Sequence, residues 1–209
     1  MNVLFGIDHK DGGETYFKSK RVVIDSASKA KSLGIGYVTE NRKEEGLFID
    51  FSISDNILFN NLKRLSNRTL VNEKKLKAIT SEYTQNVRLK CRDHQQLVSE
   101  LSGGNQQKVV LSKWLANNPS VLILDEPTRG IDVNAKKQIY ELIFELKKAK
   151  AGIIIVSSEL VELLGIADRI YVMREGRLMT ELTNTQLTDG VVMNYMMGGE
   201  ITNNENTNY

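Results

Sequence analysis

The chain has 209 residues, 41% of them hydrophobic, which is enough to bury a sizeable globular core. Its 28 Lys and Arg residues almost balance 26 Asp and Glu residues and are scattered along the sequence, so the charge does not imply a nucleic-acid partner. The single cysteine, Cys91, excludes an internal disulfide, and no apolar run approaches the roughly 20 residues of a membrane-spanning helix, so we expect a cytoplasmic protein without a transmembrane segment of its own.

The first hundred residues predict a small antiparallel portion followed by a helical one. Ser26 or Ser28 can cap a short helix that Gly34 ends, and Asn72 can cap a longer one. In chain order we predict paired strands at 15–17 and 22–24, a helix at 26–33, an apolar strand at 35–38 and a polar loop at 39–46. Two helices follow at 54–62 and 72–87, with a turn at 66–68 between them. The helical portion is expected over about residues 54–99.

From Ser102 onward, helices alternate with apolar strands. We predict a helix that begins after Ser102 and ends before Pro119, a strand at 121–124, a helix at 134–149 and a strand at 152–156. A short helix at 161–164 and a hairpin of strands 170–173 and 177–181 follow. This alternation predicts an α/β fold in which helices cover a parallel sheet. We expect one domain over residues 1–201 and a disordered polar tail over 202–209.

Two carboxylates directly follow an apolar strand. Asp125 and Glu126 come after VLIL and are therefore predicted at the carboxyl edge of the sheet, where ligands of open α/β sheets bind. An Asp at this edge can hold Mg²⁺, and the neighbouring Glu can orient or deprotonate an attacking water. The alternative is that the two residues only end the strand and cap the turn at Pro127 and Thr128.

A pair of glycines opens the helix that precedes this strand. Ser102, Gly103 and Gly104 let an anion approach bare backbone N–H groups, and a helix N-terminus carries roughly half a positive charge. Phosphate is the ligand that such a helix start favours. The alternative is an ordinary helix start in which Ser102 is the cap and the glycines only add flexibility.

Several segments together resemble one family. The sequence is similar to the ATP-binding cassette (ABC) family of P-loop ATPases, and most similar to the second cassette of the ATP-binding subunits of ribose- and galactose-type monosaccharide importers. The segments that carry this resemblance are RKEEGL, LSGGNQQKV, DEPTRGIDV, SSELVELLGIADRI and VMREGR. It implies a P-loop NTPase-like cassette with a parallel sheet flanked by helices, a helical subdomain and a small antiparallel β portion, incomplete at its N-terminus.

The resemblance also implies roles for individual residues. The segment from Ser102 through Gly103 and Gly104 to Asn105, called the signature below, would contact the γ-phosphate of ATP held by an opposing cassette. Asp125 would assist Mg²⁺, Glu126 would be the catalytic carboxylate, and Asp132 would bridge to the partner cassette. ATP and Mg²⁺ are the implied cofactors. Membrane permease subunits are the implied partners, and they would hold the chain at the inner face of the membrane.

Two positions depart from the family pattern. Glu40 stands where most members have a Gln that senses Mg²⁺ and meets the membrane subunit, so Glu40 is the residue to which that metal role would pass. Ser158 stands at the switch position, where most members have a His. A hydroxyl cannot carry the positive charge that His places on the γ-phosphate, which predicts weak turnover at this cassette's own site.

A phosphate loop of the form G-x-x-x-x-G-K-[ST] does not occur in the sequence. This absence has two alternative explanations. The chain is either a fragment of a longer cassette protein, which is the favoured interpretation, or a partial cassette that supplies only its signature to a partner's ATP site without turning over nucleotide itself.

Overall fold

The computed structural model describes residues 1–67, 70–183 and 188–197. The chain forms two compact units, one covering Met1–Val156 and the other beginning at Ser157. In the first unit the helices and strands are α1 (Asn2–Phe5), β1 (Thr15–Phe17), β2 (Lys20–Val22), α2 (Ala27–Ser32), β3 (Ile35–Val38), α3 (Ile53–Leu65), β4 (Ser66–Asn67), β5 (Leu70–Val71), α4 (Glu73–Asn86), α5 (Gly103–Leu115), β6 (Val121–Asp125), α6 (Val133–Lys148) and β7 (Gly152–Val156).

The central sheet of this unit is parallel, with the strand order β3-β6-β7. Its strands are the apolar runs IGYV, VLILD and GIIIV, as expected for a parallel sheet that is covered by helices. Ile35 pairs with Val121 and Val38 with Leu124, so β3 and β6 begin together and β6 extends one residue further. Asp125 continues the ladder opposite Val156. The α/β fold class predicted from the alternation of helices and strands is confirmed.

Helix α5 is the most deeply buried helix of the first unit. Every residue from Gln106 to Lys113 is buried, including two lysines and two glutamines. Helices α3 and α4 pack against each other and against α5, and α6 contacts it as well. Both buried lysines have hydrogen-bond partners: Lys113 Nζ donates to the carbonyl of Gly46, and Lys108 Nζ donates to the carbonyl of Arg88 at 2.8 Å.

Three local predictions differ from the structure. The strand expected at 22–24 begins at Lys20, because Lys18 and Ser19 both adopt positive φ angles (50° and 61°) and form a tight hairpin turn that pairs Phe17 with Lys20. The polar segment 39–46, expected to be loop throughout, contains a π-helical turn at Arg42–Gly46. The turn expected at 66–68 is replaced at its start by the short strand β4, which pairs with β5.

The second unit contains α7 (Leu160–Ile166), β8 (Arg169–Arg174), β9 (Arg177–Thr183) and α8 (Asp189–Met196). Strands β8 and β9 are antiparallel, as the hairpin prediction required. Their small core consists of Ile170, Val172, Leu182 and Val192. The predicted polar tail, 202–209, lies outside the described residues. Among the helices that the structure describes, none has the length and apolar character needed to cross a membrane.

Candidate functional site

The signature lies at the start of α5, where Ser102 is the N-cap. Its Oγ accepts hydrogen bonds from the Asn105 backbone N–H at 3.5 Å and from Asn105 Nδ2 at 3.1 Å. Asn105 Oδ1 in turn accepts the Lys90 N–H at 3.1 Å. Ser102 is exposed, whereas both polar ends of the Asn105 side chain are held by the protein. The group that the signature presents to solvent is therefore the Ser102 hydroxyl at the positive end of a helix.

The two glycines that follow are packed closely by other parts of the first unit. A Cβ atom on Gly103 would lie 2.8 Å from Arg42 Nη2, and one on Gly104 would lie 2.6 Å from the Cβ of Ala135. Real Cβ atoms do not approach other atoms so closely. Gly104 is thus required by the proximity of helix α6, in addition to any ligand that it contacts, whereas a side chain at position 103 would displace the flexible end of Arg42.

Arg42 is a further residue of this site, and in the sequence it is marked only by its place in the segment RKEEGL. Its Nη1 donates to the Arg129 carbonyl at 3.0 Å, and its Nη2 lies beside Gly103. Its buried Nε has no hydrogen-bond partner among the described residues. A guanidinium beside the positive end of α5 adds to the electrostatic preference of this surface for an anion.

The two carboxylates at the end of β6 are both half-buried, and they have different surroundings. Asp125 Oδ2 accepts a hydrogen bond from the Tyr37 hydroxyl at 3.1 Å. Glu126 adopts φ +46°, a left-handed conformation that is unusual for a residue with a side chain, and its N–H donates to the Val156 carbonyl at 2.9 Å. Such backbone strain is common at functional sites, where it directs a side chain away from the strand.

Tyr37 is a second site residue that sequence reasoning missed. Burial and the neighbouring Asp125 carboxylate raise the pKa of Tyr37 above its ordinary value, so the phenol stays protonated and remains a hydrogen-bond donor to Asp125. The contact follows from the strand register, which the sequence does not show. Tyr37 pairs with Ile123, and a residue two positions further along β6 lies on the same face of the sheet.

The surroundings of Asp125 fit a magnesium ion. Asp125 has no ion-pair partner among the described residues, so its charge is not neutralised there by the protein. The described residues contain no cluster of three or more metal-ligating side chains. Mg²⁺ commonly binds through one or two carboxylates together with substrate phosphates, so one available carboxylate is the donor set that it requires.

Comparison with known proteins gives the family. The family model described as ABC transporter matches residues 1–129. The chain belongs to the ABC transporter family. It is 43% identical over 200 residues to the ribose import ATP-binding protein RbsA of Halalkalibacterium halodurans, with 96% of this chain and 40% of that protein covered. It is also 43% identical over 199 residues to RbsA of Bacillus subtilis. The chain spans about two fifths of the length of these relatives.

Solved structures with a similar fold are ABC cassettes. A nucleotide-free ATP-binding cassette from an ABC transporter superimposes with a TM-score of 0.76 at 21% identity, covering 95% of this chain and 82% of that one. A dimeric cassette in a post-hydrolysis state, bound to ADP and Pi, superimposes with a TM-score of 0.74 at 21% identity, covering 88% and 78%. These likenesses confirm the fold that the resemblance implied.

The remaining ABC site predictions concern Glu40, Asp132 and Ser158. The Glu40 carboxylate forms an ion pair with Arg129. Asp132 is the N-cap of α6, where its Oδ1 accepts the Ala135 N–H at 2.9 Å. Ser158, in the second unit, is exposed. The metal role of Glu40, the bridging role of Asp132 and the switch role of Ser158 stay predictions.

Proposed function

We propose that this chain acts as an ATP-binding cassette of an importer for a monosaccharide such as ribose, and that its signature binds ATP held by an opposing cassette. The observation that carries the proposal is the exposed Ser102 hydroxyl at the N-terminus of α5 with the Arg42 guanidinium beside it. The ribose import relatives support the sugar class. The sugar itself would be recognised by other subunits.

The hydrolytic step follows from the two carboxylates of β6. Glu126 orients the attacking water and takes up its proton as the water oxygen bonds to the γ-phosphorus, while the bond to the β,γ-bridging oxygen breaks and ADP leaves. At the ATP held by the opposing cassette, Ser102 and the α5 backbone N–H groups stabilise negative charge on the γ-phosphate oxygens. Asp125 would hold Mg²⁺, which neutralises phosphate charge when it is bound.

An exposed aromatic cluster supports a membrane-subunit partner. The rings of Phe48, Phe51 and Phe59 contact one another with centroids 5.1 to 6.0 Å apart. Phe48 and Phe51 are about half exposed. Clustered exposed aromatic side chains are typical of protein–protein contact surfaces. We propose that a permease subunit covers this cluster and holds the chain at the inner face of the membrane.

The signature role is tested by titrating Mg-ATP into the ¹⁵N-labelled chain mixed with an unlabelled opposing cassette that carries a phosphate loop, and following the backbone amide signals of residues 102–105. We expect saturable shifts in the wild type and in Ser102→Thr. In Ser102→Asp they should be lost, because a carboxylate repels phosphate although Asp is as good an N-cap as Ser. Ser26→Asp, at the N-cap of α2, is the matched control and should bind like the wild type.

Shifts that are absent from the wild type, or that persist unchanged in Ser102→Asp, would contradict the proposed signature role. Equal melting temperatures for the wild type and Ser102→Asp would show that the loss of binding is not a loss of folding.

The non-catalytic partial cassette is a second candidate, favoured by the hydroxyl at Ser158 and by the engagement of Glu40 with Arg129. The two candidates differ in what Glu126→Gln does to ATP hydrolysis by the assembled importer. A catalytic cassette predicts a drop of at least about a hundredfold, on the scale of a lost general base. A non-catalytic module predicts unchanged hydrolysis.

A further inference from the structure

A hydrogen-bonded chain of three side chains reaches Asp125 from the interior of the first unit. The Tyr37 hydroxyl lies 3.1 Å from Asp125 Oδ2 and 3.0 Å from Asn2 Oδ1. Tyr37 is only 4% exposed, and its ring packs against Phe5 with centroids 5.2 Å apart. Packing of the ring therefore fixes the position of the phenol independently of its hydrogen bonds.

The number of hydrogens available determines which group donates in each of these two hydrogen bonds. A phenol carries one hydrogen, and an ionised carboxylate can only accept, so the Tyr37 hydrogen is donated to Asp125. With its hydrogen donated to Asp125, the phenol oxygen can only accept a hydrogen bond from Asn2. Rotating the Asn2 amide group by 180° exchanges Oδ1 and Nδ2, so that Nδ2 donates to the phenol oxygen. Asn2 therefore donates to Tyr37 and Tyr37 donates to Asp125, and each bond polarises the next.

This arrangement leaves the two oxygens of Asp125 in different states. Oδ2 is held by Tyr37, while Oδ1 makes no hydrogen bond or ion pair within the part of the chain that the structure describes. We propose that Tyr37, oriented by Asn2, is the positioning residue that fixes the Asp125 carboxylate so that Oδ1 is available to the magnesium ion of Mg-ATP. The inference rests on the proposed function, because it assigns the metal role to Asp125.

Tyr37→Phe tests this inference cleanly, since it removes the hydroxyl and keeps the buried ring. The measurement is the paramagnetic broadening of the Asp125 and Glu126 amide signals when Mn²⁺ is titrated into the ¹⁵N-labelled full chain. We expect Tyr37→Phe to raise the Mn²⁺ concentration for half-maximal broadening about tenfold, the scale of losing a group that orients a metal ligand. Asn2→Ala should raise it less, and Asp125→Asn should abolish the broadening.

The matched control is Tyr16→Phe, which removes the hydroxyl of an exposed tyrosine that donates to Glu14, and it should leave the broadening unchanged. Equal broadening in the wild type, Tyr37→Phe and Asn2→Ala would overturn the inference and leave the proposed function intact. Absence of broadening at Asp125 in the wild type would overturn the metal assignment in the proposed function, and the inference with it. Asn2→Ala keeps the tyrosine, so it provides the test if Tyr37→Phe does not fold.

Discussion

Gly104 of the signature lies directly against Ala135 of helix α6, so closely that a Cβ at position 104 would stand 2.6 Å from the Ala135 Cβ. The signature glycine therefore sets how near the two helices approach. This contact gives the glycine a structural role that is separable from phosphate binding.

Gly104→Ala is expected to destabilise the chain by about 1–3 kcal/mol, because the added methyl group overpacks two helices that cannot both keep their positions. Gly103→Ala should cost less, since the atom it meets is the end of the flexible Arg42 side chain. Gly12→Ala, which has no atom within 4 Å of the new Cβ, is the control. Urea denaturation measures all three, and equal stabilities for the two signature variants would contradict this account.

Glu126 combines a proposed catalytic role with a left-handed backbone at φ +46°. Glu126→Ala and Glu126→Gly both remove the carboxylate, but only Gly adopts this conformation without strain. We expect the Gly variant to be more stable than the Ala variant by about 1 kcal/mol, although both lose hydrolysis. Thermal melts of the two variants measure the difference. Equal melting temperatures would mean that the backbone at this position is not strained.

Lys113 makes the folding stability depend on pH. Burial, with the charge of Lys31, lowers the pKa of Lys113 to about 8, whereas the unfolded chain keeps the ordinary value of 10.5. Between these two values the unfolded state binds more protons, so the stability should rise as the pH is raised from about 8 to 10.5. The full rise from this group is about 3 kcal/mol.

Lys113→Met is the variant for this prediction, because it keeps the length of the side chain and removes the titrating group. The wild type minus variant difference in unfolding free energy, measured by urea denaturation across this pH range, should show the rise. The variant also loses the hydrogen bond to the Gly46 carbonyl, a loss of about 1 kcal/mol that does not depend on pH. A pH-independent difference would show that Lys113 titrates normally.

The ion pair between Glu40 and Arg129 is exposed, with 44% and 64% of the two side chains accessible. A double-mutant cycle with Glu40→Gln and Arg129→Gln should give a coupling energy below about 1 kcal/mol that disappears in high salt. Such a weak pair would leave Glu40 able to exchange Arg129 for another cation. A coupling above about 2 kcal/mol would argue against the predicted metal role of Glu40.

Local chemistry determined much of the fold. The strands predicted at 35–38 and 152–156 have those bounds in the structure, Asn72 is the helix cap that was expected, and Ser102 caps α5 as the alternative interpretation of SGG had it. A strand depends on a run of apolar residues, and a helix cap depends on a side chain that bonds a backbone N–H three residues later. Both patterns can be recognised from neighbouring residues in the sequence. The hairpin at β1 and β2 was shifted because its turn type depends on two residues, Lys18 and Ser19, that have little intrinsic preference for positive φ.

The chemistry-bearing residue types at the site were also visible in the sequence, but their partners were not. LSGG and DEPT identified the signature and the two carboxylates. Tyr37 and Asp125 are 88 residues apart, and their contact exists because the β3–β6 register puts them on the same face. Arg42, at the start of the π-helical turn after β3, lies beside Gly103, which is 61 positions away in the chain. Local sequence patterns were therefore sufficient for the family, the parallel strands and most of the caps, whereas the side chains that hold the site residues in place followed from the tertiary structure, since such contacts depend on strand register and helix packing across long chain separations.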